Sequence, residues 1–141
     1  MKLIFVLLVT TALISGIFLL SSAQAGESIK GAHIVAYYFH GTMRCPTCHK
    51  LEQYSKEAIE TNFKKDIASG KIEFKEINID HKGNEHYAGD YQLYTKSLVL
   101  SLVRDGKEVR WKNLDKIWEY VRDKERFVEY VKAEVSNFLR E

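Results

Sequence analysis

Residues 37–52 of the chain read YYFHGTMRCPTCHKLE. An apolar run stops at Gly41, and Cys45 and Cys48, the only cysteines in the protein, follow it. A Cys-x-x-Cys pair between a predicted strand and a predicted helix brings both sulfurs to one helix end, where they can perform redox chemistry or ligate a metal. The stretch therefore predicts a strand-to-helix junction that carries a dithiol.

The composition is that of one globular domain. The chain has 141 residues, of which 45% are hydrophobic and 28% charged, and its formal net charge is +2. Its 21 basic and 19 acidic residues are mixed along the sequence, so the basic patch that nucleic-acid binding requires is missing. We expect no nucleic-acid partner.

The first 25 residues have the pattern of a signal peptide. Lys2 gives a positive start, residues 3–20 are uncharged and mostly apolar, and Ala23-Gln24-Ala25 offers a small-x-small cleavage site. The alternative is a retained anchor, because an apolar run of about 18 residues is just long enough to span a bilayer. Either reading predicts that the domain, residues 26–141, is exported to a bacterial periplasm, with a membrane contact only if the segment is retained.

The short spacing of the cysteines favours a redox role over a structural one. A structural disulfide usually closes a long loop, whereas this pair encloses two residues and gains little loop entropy. Pro46 suits the first turn of a helix and places Cys45 near its N-cap. The helix N-terminus, Arg44 and His49 would favour the Cys45 thiolate, so we predict that Cys45 attacks and Cys48 resolves the mixed disulfide.

Hydrophobic periodicity predicts alternating strands and helices. The strands are expected at 33–40, 71–80, 97–103 and 107–111, and the helices from the cysteines to about residue 68, weakly within 81–94, and as two apolar stripes over 114–121 and 127–139. Asp105-Gly106 is typical of a hairpin turn, and Asp123 is a candidate helix N-cap. The alternation slips between Phe74 and Ile77, which predicts a bulge.

This order resembles the thioredoxin-like superfamily over residues 33–139, as do the segments EINID, YQLYTKSLVL and RDG. The combination YYFHG, RCPTC and KNLDKIW is more narrowly similar to exported thioredoxin-like proteins named as a nitrophenyl-compound nitroreductase subunit and associated with arsenic-resistance genes. The resemblance implies an α/β thioredoxin-like fold, with a central mixed sheet and flanking helices. It also implies a thiol-disulfide oxidoreductase that cycles Cys45 and Cys48 without a cofactor and acts on a protein thiol or disulfide, or on a redox partner subunit.

The sequence departs from the superfamily pattern at three positions. Members commonly have Trp before the first cysteine, a buried acid six residues before it, and a cis-proline facing the dithiol. Here Arg44 and Phe39 occupy the first two positions, and Ser97, or Leu98 by a second count, occupies the third. His40, beside the missing acid, is a candidate proton relay.

Two other chemistries use the same cysteines. Cys45 and Cys48 could bind Cu(I) or Zn(II) together with His40 or His49, with His81 or His86 completing the set. In this alternative the protein is a soft-metal-binding or accessory subunit without turnover.

The second of these chemistries is haem attachment, because residues 45–49 match the Cys-x-x-Cys-His motif of c-type cytochromes. The position of the motif directly after a strand argues against it, since haem c domains are generally helical. A third class of function is a non-enzymatic partner domain that docks through exposed aromatic residues such as Trp111.

Overall fold

The computed structural model describes residues 31–141; the predicted signal peptide and the start of the predicted domain lie outside them. Residues 31–141 form four strands and five helices: β1 (Ala32–His40), α1 (Pro46–Asn62), α2 (Lys64–Ala68), β2 (Ile72–Asn78), α3 (His86–Asp90), β3 (Ser97–Arg104), β4 (Lys107–Asn113), α4 (Ile117–Tyr120) and α5 (Lys124–Leu139). Among the described residues, no helix combines the length and the apolarity that a membrane span requires.

The four strands form one mixed sheet in the order β2-β1-β3-β4. β1 pairs with β2 in parallel and with β3 antiparallel, and β3 pairs with β4 antiparallel. β1 and β3 are the central strands, which explains why their sequences are almost continuously apolar. A mixed sheet with a β1-α1-β2 unit, a final β3-β4 hairpin and flanking helices is the α/β thioredoxin-like fold, so the predicted fold class is confirmed.

The sheet is covered on both faces. The larger cluster packs one face against α1 and α5, and its fully buried members include Tyr38, Leu51, Leu100 and Phe127. The smaller cluster on the other face contains Phe39, Tyr91 and Val99, with Trp111 packed edge-on against Tyr91 at 5.3 Å between ring centroids. Trp111 is therefore half-buried, so the expectation that it is exposed is wrong, while its docking role stays a prediction.

The predicted bulge in the second strand is also wrong. β1 and β2 pair without interruption from Ile34 opposite Ile72 to His40 opposite Asn78. The apolar residues change from one face to the other because Phe74 packs on the larger cluster and Ile77 on the smaller one. A register shift does occur in the sheet, between Leu102 and Val103 in the β3-β4 pair.

The helix predicted to run to about residue 68 is interrupted at Phe63. The Phe63 side chain is buried in the larger cluster, and its backbone leaves the helical region at φ −123° and ψ 33°. Just before it, the Asn62 side-chain amide donates to the Ala58 carbonyl at 2.7 Å. Such a local hydrogen bond competes with continued helix, so α1 ends at Asn62 and α2 begins at Lys64.

Two local signals were interpreted correctly. Asp105 and Gly106 have φ of +50° and +75°, as a two-residue hairpin turn requires. The Asp123 side chain accepts a hydrogen bond from the Arg126 N–H at 3.1 Å and so caps α5. Since α5 packs against α1, this cap helps to fix the helix that carries the cysteines.

We predict that Phe127→Ala destabilises the protein by about 3–5 kcal/mol, because it leaves a cavity between α5 and α1. Phe127 is fully buried and lies edge-on to Tyr54 of α1 at 5.6 Å between centroids. Urea unfolding would measure the change, with the exposed Val109→Ala as a control expected to cost under about 1 kcal/mol. Equal losses in the free energy of unfolding for Phe127→Ala and Val109→Ala would contradict this packing.

Candidate functional site

Cys45 and Cys48 are joined by a disulfide at the start of α1, with 5.0 Å between their Cα atoms. The two cysteines differ sharply in exposure: Cys45 is exposed, whereas Cys48 is 2% exposed. An incoming thiolate can therefore reach Cys45 much more readily than Cys48. The attacking role of Cys45 and the resolving role of Cys48 stay predictions.

The end of α1 is built to stabilise negative charge on Cys45. Cys45 is the N-cap residue, and its Sγ accepts a hydrogen bond from the Cys48 N–H at 3.2 Å. Pro46 occupies the first turn, as predicted, and that turn contains no acidic residue. After reduction, the same N–H group and the positive end of the helix dipole would favour the Cys45 thiolate.

Tyr38 anchors the buried half of the dithiol, a role that the sequence analysis missed. Its hydroxyl donates to the Cys48 carbonyl oxygen at 2.8 Å. Burial raises the pKa of Tyr38 to about 12, so the hydroxyl keeps its proton at neutral pH. A tyrosine on the buried face of a central strand was the signal, because a buried hydroxyl normally has a hydrogen-bond partner.

Four ionisable side chains meet around Arg44, the residue that directly precedes Cys45, and we call them the charge cluster: His40, Arg44, Glu52 and Glu76. Arg44 forms ion pairs with Glu52 of α1 and with Glu76 of β2, the latter at 3.3 Å. His40 Nε2 lies 3.0 Å from Glu76 Oε1, and its Nδ1 lies 2.9 Å from the carbonyl oxygen of Gly41. Both nitrogens of the predicted relay residue thus already have partners.

The remaining predicted residues lie apart from the charge cluster. Phe39 belongs to the smaller hydrophobic cluster, on the sheet face opposite Tyr38. His49 is exposed on α1, and Ser97 begins β3 opposite Phe39, with its hydroxyl donating to the Thr95 carbonyl at 2.9 Å. A carboxylate beside the dithiol is instead supplied by Glu76 and Glu52, which sequence position alone did not single out.

Asp80 holds the loop between β1 and Cys45 in place through a hydrogen bond. Its Oδ2 accepts the Thr42 N–H at 2.6 Å, and the Asn78 amide donates to the Thr42 hydroxyl at 3.2 Å. A Cβ at position 41 would lie 3.0 Å from the same Asp80 oxygen, so Gly41 permits the close approach. The backbone hydrogen bond from Thr42 is the main reason why the pKa of Asp80 is lowered.

An open cavity of about 270 Å³ lies next to this loop. Its lining includes His40, Gly41, Ile79 and Leu93. Met43 and Tyr94 also line it and are 83% and 95% exposed, respectively. Large exposed apolar side chains around a cavity are typical of a surface that meets a partner.

Three of the four histidines proposed as metal ligands, His40, His81 and His86, have other partners. His86 pairs with Asp90 at 2.7 Å, and His81 lies 3.3 Å from the Asn78 amide. Within residues 31–141, no group of three or more His, Cys, Asp or Glu side chains is arranged to hold a metal ion.

Known proteins give limited information about this chain. It matches no known family profile and no curated protein. Among solved structures it is similar to Fasciola hepatica thioredoxin, with 23% identity, a TM-score of 0.38, and coverage of 66% of this chain and 81% of that one. It is also similar to a malarial protein, with 14% identity, a TM-score of 0.39, and coverage of 65% and 96%.

Strand order and pairing in the chain itself define the fold. Together with the disulfide-forming Cys-x-x-Cys pair at a helix N-terminus, they define the class: a thioredoxin-like protein whose cysteines support a thiol redox role.

We predict that Asp80→Asn lowers stability at neutral pH and that the difference from the wild type disappears in acid. A carboxylate whose folded pKa is lowered stabilises the protein above its unfolded pKa of about 4, and this stability is lost as the pH falls through the folded pKa. Urea midpoints between pH 7 and pH 2.5 would show the gap closing below about pH 4. A difference in urea midpoint between Asp80→Asn and the wild type that persists at pH 2.5 would contradict the Thr42 contact. The same pH-dependent difference in the control Asp66→Asn would contradict it as well.

Proposed function

We propose that the protein is a thiol-disulfide oxidoreductase that uses the Cys45/Cys48 couple. The observation that carries the proposal is the unequal exposure of two bonded cysteines at the N-terminus of α1. The exposed sulfur can exchange with a partner, while the buried one is held in place to close or release the disulfide. Such a division of roles serves turnover, whereas a purely structural bridge needs neither sulfur exposed.

The exchange with a partner dithiol takes two steps. A partner thiolate attacks Sγ of Cys45, which forms a mixed disulfide and releases Cys48 as a thiolate that takes up a proton. The second partner thiolate then attacks the partner sulfur of the mixed disulfide and releases the Cys45 thiolate, which takes up the second proton. The partner loses two electrons and two protons and becomes a disulfide, while the Cys45/Cys48 disulfide becomes a dithiol. The reverse sequence reduces a partner disulfide.

The partner in this proposal is a protein thiol or disulfide, or a redox partner subunit. The cavity beside Met43 and Tyr94 supports this choice because it opens next to the loop that carries Cys45. Membership in the exported family named for a nitroreductase subunit is also a proposal, supported by YYFHG, RCPTC and KNLDKIW.

We predict that Cys45→Ser abolishes exchange with a glutathione buffer, while Cys48→Ser traps a mixed disulfide at Cys45. The reason is that Cys45 offers the accessible sulfur and Cys48 the resolving one. Alkylation followed by mass spectrometry would measure both, and the wild type should show a reversible two-proton mass change at a potential above about −300 mV. Equal alkylation rates for both reduced cysteines at pH 6 would contradict these roles.

The same samples distinguish the alternative functions. Stoichiometric copper or zinc that protects both thiols from alkylation would favour the soft-metal-binding or accessory role. A covalent mass increase with a Soret band would establish haem attachment.

Export is proposed from the signal-peptide pattern of residues 1–25. When the whole chain is expressed in a bacterium, we predict that the protein appears in the periplasmic extract with Gly26 as its first residue. Intact mass and N-terminal sequencing would test this. An unprocessed chain in the membrane fraction would favour the retained anchor, and an unprocessed chain in the cytoplasm would contradict export.

A further inference from the structure

We propose that Glu76 and Glu52 are positioning residues that set the dithiol-disulfide equilibrium by offsetting the charge of Arg44. The inference rests on the proposed thiol redox function. The sequence alone predicts that Arg44 acts as a free cation that favours the Cys45 thiolate. The structure instead places its guanidinium between two carboxylates.

The geometry of Arg44 explains why its charge is offset. Arg44 directly precedes the N-cap residue Cys45, yet its side chain contacts Glu52 and Glu76 and is only 18% exposed. Glu52 is 22% exposed and Glu76 is 44% exposed, so the pair with Glu52 is the better shielded from solvent. Because Arg44 itself is largely buried, both carboxylates affect how strongly its charge acts on nearby groups. α1 and β2 thus each contribute one negative charge to Arg44, the residue before Cys45.

Other ionisable groups also face this position. From β1, His40 contacts Glu76, and Tyr38 donates to the Cys48 carbonyl. After β2, Asp80 lies close enough to be influenced by His40. Burial is the main cause of the raised pKa of Tyr38; Arg44 lowers that pKa and Glu76 raises it. The charges of the cluster therefore act on Tyr38, whose hydroxyl contacts the Cys48 carbonyl oxygen.

The proposal predicts effects of opposite sign for Arg44 and its carboxylates. Glu76→Gln leaves Arg44 less compensated, which favours the Cys45 thiolate and hence the reduced form. Arg44→Gln leaves both carboxylates uncompensated, which disfavours the thiolate and the reduced form. If the ion pairs only hold the loop in place, both variants loosen the same contact. Both should then shift the Cys45 alkylation rate and the redox equilibrium in the same direction.

The matched control is Glu73→Gln. Glu73 lies on β2, as Glu76 does, and their side chains are 47% and 44% exposed. Glu73 pairs with Lys75 at 3.1 Å and is not part of the charge cluster. It reports the effect of removing one carboxylate charge from the same strand without changing the partners of Arg44.

Two readouts on the purified full-length protein test the proposal: the rate of Cys45 alkylation at pH 6 after reduction, and the equilibrium with glutathione. For Glu76→Gln we expect the alkylation rate at pH 6, and the reduced-to-oxidised ratio at a pH where reduced Cys45 is a thiolate, to rise about threefold, the order of magnitude for one partly screened charge. For Arg44→Gln both should fall about threefold. For Glu73→Gln both should change by less than about 1.5-fold.

Shifts of the same sign in Glu76→Gln and Arg44→Gln, or an equal shift in Glu73→Gln, would overturn the proposal. If Glu76→Gln does not fold, Glu52→Gln carries the same expected sign and takes its place. The two readouts also separate this inference from the proposed function. A wild-type protein that fails to equilibrate with glutathione refutes the function, whereas the alkylation rates need no redox partner and still test the charge effect.

Discussion

The site depends on how the first turn of α1 is held against β1. The Tyr38 hydroxyl donates to the Cys48 carbonyl, and the Cys48 N–H donates to Cys45 Sγ, so one buried strand residue fixes the cysteine that in turn orients its partner. Because helix geometry then turns Cys45 outward and Cys48 inward, the two sulfurs cannot be equivalent. The chemical asymmetry of the dithiol follows from a packing constraint between one strand and one helix.

Around the first turn of α1, charged and polar contacts from other positions take the place of residues that are typical of the superfamily. The position six residues before Cys45 holds Phe39, which packs on the far face of the sheet. Carboxylates reach the dithiol region from β2 and α1 instead, through Arg44. Asp80 holds the connecting loop by its contact with the Thr42 N–H. The loop before Cys45 is thereby held at two residues: Thr42 contacts Asn78 and Asp80 at the end of β2, and Arg44 contacts Glu76 within β2.

Much of the fold could be predicted from the sequence, because strand and helix periodicities are local signals. The hairpin at Asp105-Gly106 and the cap at Asp123 were both predicted on that basis. The break at Phe63 was not, since it depends on where the core accepts a large side chain. The cysteine pair was evident from its spacing, whereas Glu52 and Glu76 are 24 residues apart in sequence and meet only through Arg44. Ion pairs between residues so far apart produce no periodic pattern in the sequence.

The most direct test of the account is to find which sulfur a small thiol attacks. The oxidised protein would be mixed with a limiting amount of glutathione, quenched in acid within seconds, digested, and mapped by mass spectrometry. The account predicts that the glutathione adduct lies on Cys45, because Cys48 is buried beneath Tyr38 and the first turn of α1. An adduct mainly on Cys48, or equal adducts on both cysteines, would contradict it.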